Sequence, residues 1–325
     1  MHRRTFCLGA LGAGLASGSF ARAAETYPAR PVRVVVPYAA GGGPDIMMRQ
    51  FGPTLGERMG QPIVVENKVG AGGVLAAQSV AQAAPDGYTV LLGSNSHLIQ
   101  KILQPALAFD PVRDFVPVTL IAASPTVLVV SAKSPYRSVQ DLADALRAHP
   151  GKMNYASGGV GSGAHLGGAT FVSLLKADAV HVPFKGSVEI PVSLVRGDTD
   201  FAFAIAGTAI PQVRGGQLRA LAVTGAAPLA ELPGVPPLHD VLHSDLAIQE
   251  FWFAFWLPRN PSPDVVGTLY RATTAALRDP AVGPMFEAAG NRVVRSDDPQ
   301  AAAEFVRSEY RKWADIIKLA GVTAG

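Results

Sequence analysis

Two stretches combine residue types that can hold an anion without a charged side chain. Residues 32–45 read VRVVVPYAAGGGPD and residues 153–166 read MNYASGGVGSGAHL. In each, a short apolar run leads through a glycine-rich turn into a helix-like stretch. Such a turn leaves backbone N–H groups unshielded at a helix N-terminus, where the helix dipole gathers partial positive charge. Two of them suit two lobes closing on one small anionic ligand. Relief of tight strand-to-helix turns is the plainer use of the same glycines, and either loop alone is compatible with it.

Other chemistries are poorly represented. Gly159-Val160-Gly161-Ser162-Gly163-Ala164 fits the G-x-G-x-x-A form of a dinucleotide loop. The strand before it is short, however, and no ribose-binding acid follows a second strand. The G-x-S-x-G turn of a serine hydrolase is absent from the chain. His239 and His243 have i,i+4 spacing near Asp240 and Asp245, but in a proline-flanked stretch without a third ligand. No catalytic residues, no metal and no cofactor are therefore expected, and a nucleotide-dependent enzyme is the weakest reading.

The elements that must position the loops alternate along the chain. Residues 32–37, 63–66, 88–92, 126–131, 180–182, 201–205 and 218–224 read as strands. Amphipathic stretches at 45–59, 74–83, 138–148, 164–175 and 188–196 lie between them. This pattern predicts an α/β fold of parallel sheets covered by helices. Ser138 with Asp141 forms a capping box, and Ala302, Phe305, Val306, Tyr310, Trp313, Ile316 and Ile317 recur along one face of a last helix. Lobe crossings are expected near residues 122–125 and within the proline-rich 225–250. Residues 24–123 with 247–325 would then form one lobe and the inserted 124–246 the other, joined by a hinge.

Residues 1–20, MHRRTFCLGALGAGLASGSF, followed by Ala21-Arg22-Ala23, have the three-part plan of an export signal cleaved near Ala23. Arg3-Arg4 suits either the general secretory or the twin-arginine route. The apolar run is too short and glycine-rich to span a bilayer. Cys7, the single cysteine, falls inside the signal, so the mature chain offers no disulfide or thiolate chemistry. The 28 basic residues include Arg3, Arg4 and Arg22, so removal of 1–23 leaves 25 basic against 25 acidic. A neutral chain without a basic stripe argues against nucleic-acid binding.

RPVRVVVPYAAGGGPD, GQPIVVENKVGAGG, APDGYTVLLG, FDPVRDFVPV, HPGKMNYASGGVGSGAHL, HVPFKG, GGQLRALAVT and KWADIIKLAG occur in this order along nearly the whole mature chain. The ordered set resembles the Bug family, the extracytoplasmic solute-binding proteins of tripartite tricarboxylate transporters. The resemblance implies a two-lobed periplasmic-binding-protein fold with mixed, mostly parallel sheets and a ligand cleft between the lobes. It implies a monomeric, non-catalytic periplasmic receptor for a small carboxylate, serving permease subunits in the membrane. A membrane sensor kinase is an equally suitable partner, because both need only a closed, liganded form.

The resemblance also assigns residues. The first pincer is Tyr38-Ala39-Ala40-Gly41-Gly42-Gly43 with Asp45, and Gly42 and Gly43 would present N–H groups. Asp45 would face the ligand or serve the helix N-terminus. The second pincer is Ser157-Gly158-Gly159-Val160-Gly161-Ser162 with His165, a ligand contact or a loop support, and both serines can donate hydroxyls. Ser94 and Ser96 follow a strand at the usual ligand position of α/β folds. Lys185 of HVPFKG would meet a second carboxylate or shape a turn. Departures from the family pattern are the wholly apolar Phe201-Ala202-Phe203-Ala204-Ile205 and the aromatic-rich residues 250–256. Phe203 or Trp252 on the cleft wall would favour an aromatic or aliphatic monoacid; otherwise both fill cores.

Overall fold

The computed structural model describes residues 26–184, 189–288 and 290–323. The export signal read at residues 1–23 lies outside the described residues. The valine-rich β1 (Val32–Val36) buries every residue except Arg33, as a strand covered on both faces must. α1 (Gly43–Met59) takes Pro44 into its first turn, where no N–H is needed, and ends at left-handed Gly60. β2 (Ile63–Asn67), α2 (Val74–Ala81), β3 (Thr89–Ser94) and α3 (Asn95–Leu103) follow. β1 lies parallel to both β2 and β3.

The chain then crosses to the second lobe within one strand, β4 (Phe115–Ser131). The sequence reading starts a strand only at residue 126. The structure instead runs through the expected crossing, with register shifts between Pro117 and Thr119 and between Leu120 and Ala122. Such bulges bend a strand without ending it. Next come α4 (Val139–Ala148), β5 (Asn154–Ser157), α5 (Gly163–Leu174), β6 (Val180–Pro183) and α6 (Glu189–Arg196). β7 (Phe201–Ile205), α7 (Ala206–Arg214), β8 (Leu218–Val223) and α8 (Leu238–Leu242) complete this part. The Ser138–Asp141 capping box on α4 is formed, with the Asp141 N–H donating to Ser138 Oγ at 3.1 Å.

The return crossing is β9 (Glu250–Pro258), antiparallel between β3 and β4. α9 (Pro263–Leu277), α10 (Val282–Ala288), β10 (Arg292–Val293) and α11 (Pro299–Ala320) end the chain. Among the described residues, the strand order is β2-β1-β3-β9-β4-β7-β5-β6, with β8 and β10 also paired to β4. Pairing is parallel among the outer strands of each lobe and antiparallel wherever β4 or β9 takes part. Both lobes therefore hang on the crossing strands.

Each sheet face carries its own core. Val34, Phe51 and Phe255 pack on one face of the first lobe, and Val35, Leu91, Trp256 and Trp313 on the other. In the second lobe Phe201 and Phe203 face Phe171, while Ala202 and Ala204 face Val127 and Val129. α11 is capped by Asp298, whose Oδ1 accepts the Ala301 N–H at 2.7 Å. Ala302, Val306, Trp313, Ile316 and Ile317 are buried on its apolar face. The same helix buries Glu309, which accepts the indole N–H of Trp252 at 2.8 Å and of Trp313 at 3.0 Å and pairs with Lys312. That carboxylate fastens α11 to the crossing strand β9.

Candidate functional site

β1 and β5 each lead through a short turn into a helix and β3 runs directly into α3, so the first turns of α1, α3 and α5 build the site. In the first loop Gly41 adopts φ +78°, a conformation that favours glycine. The Gly42 N–H closes the turn onto the Ala39 carbonyl at 3.0 Å. It is therefore spent inside the loop rather than presented outward, and the exposed Gly43 opens α1 without a side-chain cap. Tyr38 is half-buried beneath the turn and Ala40 is exposed.

Asp45 is only 1% exposed and faces its own loop. Its carboxylate accepts the Gly41 N–H at 2.7 Å, Asn67 Nδ2 at 2.9 Å and Arg49 Nε at 3.0 Å. Burial opposes charge on Asp45, but the hydrogen bonds from Arg49, Gly41 and Asn67 outweigh it and hold the carboxyl below its ordinary range. Asn67 also donates to the Tyr38 carbonyl at 3.0 Å, tying β2 to the loop. Of the two roles open to Asp45, this geometry is that of a loop anchor.

Ser94 and Ser96 join Tyr38 in a hydroxyl cluster. Ser94 Oγ lies 2.9 Å from the Tyr38 hydroxyl and 2.7 Å from Ser96 Oγ. Burial pushes the Tyr38 phenol upward, partly offset by the Ser94 and Ser96 hydrogen bonds, so it remains a donor. Behind them His97 Nδ1 accepts the Ser94 N–H at 3.1 Å. Burial drives His97 down to about 4, which keeps it uncharged at neutral pH.

The second loop repeats this construction in the other lobe. His165 Nδ1 accepts the Gly161 N–H at 3.1 Å, and Ser162 Oγ caps α5 by accepting the His165 N–H at 3.3 Å. Ser157 is fully buried; its Oγ accepts the Gly159 N–H at 3.1 Å and lies 2.6 Å from His181 Nε2. Thus Gly161, Ser157 and His165 hold the loop's shape, while Ser162 is half-exposed at its edge. Gly161 has φ +76°, and a Cβ there would lie 3.0 Å from Leu103 Cδ1 and 3.6 Å from Gln100 Nε2. The loop therefore rests on α3 of the first lobe, the helix whose N-terminus holds Tyr38.

Phe203 and Trp252 fall elsewhere. Phe203 is fully buried against Phe171, and Trp252 is 2% exposed with its N–H on Glu309. Both fill cores, which removes the argument for an apolar cleft wall and an aromatic monoacid. Lys185 lies outside the described residues. His239 pairs with Asp240 at 3.1 Å in α8, and His243 ends that helix at φ 51°. Sequence reasoning missed His97, His181 and Asn67. The first is legible as the third residue of a capping box begun by Ser94, with histidine where glutamate is usual.

Two α/β lobes on crossing strands, with glycine and serine turns at strand ends in both, define a two-lobed solute-binding receptor. Residues 47–322 match the model described as "Tripartite tricarboxylate transporter family receptor", and the chain belongs to that family. Protein BugT of Bordetella pertussis is 33% identical over 300 residues, covering 92% of this chain and 91% of that one. MatC from Rhodopseudomonas palustris, solved with bound malate, is 32% identical with a TM-score of 0.76, covering 90% of this chain and 100% of that one. An R. palustris protein solved with adipate is 28% identical with a TM-score of 0.80, covering 91% and 99%.

Proposed function

We propose that this chain is a non-catalytic periplasmic receptor that captures a small organic acid between its lobes and delivers it to permease subunits. The carrying observation is that the loops after β1 and β5 and the β3–α3 junction are each fixed from behind by a side chain taking one backbone N–H. Fixed turns can aim their other donors without reorganising when an anion arrives. Gly43, Tyr38, Ser96 and Ser162 are the donors assigned to the ligand, with the buried Ser94 hydroxyl supporting Tyr38 and Ser96 from behind. The malate and adipate of the two R. palustris proteins support a dicarboxylate of four to six carbons. Residues 1–23 act as the export signal, residues 124–246 form the inserted lobe, and the receptor works as a monomer.

A thermal-shift screen of the mature chain tests this reading. A carboxylate at 100 times its Kd stabilises the fold by about 2.7 kcal/mol, a readily measured rise in melting temperature. A rise with a nicotinamide dinucleotide or a divalent metal, and with no acid, would contradict it.

A further inference from the structure

Resting on that reading, one group of side chains at the second loop carries more than support. The imidazoles of His165 and His181 stack face to face, with centroids 3.8 Å apart and planes 5° apart. Tyr155 lies beside the pair, its ring centroid 5.1 Å from that of His181 and 6.4 Å from that of His165. Both rings connect to N–H groups of the loop. His165 takes that of Gly161 directly, and His181 reaches that of Gly159 through the shared Ser157 hydroxyl.

The Gly161 contact fixes the proton inventory. An N–H donating to Nδ1 requires that nitrogen to be bare, so His165 is neutral with its proton on Nε2. A second proton would bind at Nδ1 and set N–H against N–H. Two charged imidazoles at 3.8 Å would also repel. Tyr155 from β5 and His181 from β6 are the titratable groups facing His165, and His181 is the one whose charge acts on it. Phe201 of β7 adds only an apolar ring against Tyr155. Burial and the neighbouring His181 drive His165 down to about 4, and burial lowers His181 as well.

We infer that His165 and His181 are positioning residues that hold the second loop in its ligand-binding shape only while both rings are uncharged. Neither need touch the ligand, and acid releases the loop by protonating the pair.

The test follows the Gly161 amide signal of the mature protein by NMR from pH 7.5 to 4, for wild type, His165→Asn and His165→Ala. Asparagine places an acceptor where Nδ1 was but cannot titrate. Wild type should lose Gly161 hydrogen-exchange protection as pH falls towards 4, His165→Asn should keep it, and His165→Ala should lack it throughout. Affinity for malate and adipate, as the ratio of wild type to His165→Asn, cancels titration of the acids themselves. That ratio should fall at least about twofold between pH 6.5 and 4, the loss that half-protonation of His165 at the lower end requires. Identical pH profiles for wild type and His165→Asn overturn the inference. So does full Gly161 protection in a folded His165→Ala. Should neither acid bind at pH 7.5, the proposed substrate class fails, while the amide titration still decides the role of the pair.

Discussion

Asp45, His97 and His165 solve one problem with different chemistry. Each sits in the first turn of a helix and accepts a backbone N–H from a residue just before that helix. The histidines do so as neutral rings, while Asp45 needs its charge and shares it with Arg49 and Asn67. Asp45→Ala leaves the Gly41 N–H and one of the two Asn67 amide N–H groups without its acceptor. It should cost about 2 kcal/mol in urea denaturation and weaken acid binding at least about tenfold. Unchanged affinity would mean that the first loop's shape does not matter. Gly161→Val should likewise abolish binding, because φ +76° and the nearby Leu103 leave no room for a branched side chain, while circular dichroism stays native.

At the level of elements, Glu309 joins α11 to β9 by taking both indole N–H groups into one buried carboxylate. Both indoles meet the same oxygen, so Glu309→Gln keeps an acceptor for them but turns its amide N–H groups towards Lys312 and loses that ion pair; it should lower stability by about 1–3 kcal/mol, with a shift in tryptophan emission. The helices and strands themselves were largely legible. Residues 201–205 and 302–317 announce a strand and an amphipathic helix by their spacing, and Ser138 marks its helix start, because these signals are local. Less legible was α3: NSHLIQKIL opens on polar residues whose purpose depends on Tyr38 and the second loop. The strand read from residue 126 is longer in the structure, where antiparallel pairing with β9 carries β4 through Pro117 and Pro125. The glycine loops were visible, but their anchors were not. An N–H acceptor four residues away reads like any helix-start residue until the turn is seen closed.

For the whole molecule, buried neutral histidines tie stability to pH. The unfolded chain takes up protons below about pH 6.5, while His97 and His165 resist until about 4. Stability should therefore be level above neutrality and fall as pH drops from about 6.5 to 4. His97 contributes up to about 3 kcal/mol and the less enclosed His165 less. Urea midpoints at pH 7.5, 6, 5 and 4.5 check this, and a flat profile would contradict the neutral anchors. The same design leaves the second loop of one lobe against α3 of the other, so a ligand held there bridges both halves. Amide NMR of the mature protein titrated with malate and adipate tests that bridging most directly. Signals from residues 41–45 and 158–164 should move together with a single Kd; movement confined to one loop, or to neither while an acid binds elsewhere, would contradict a ligand held between the two loops.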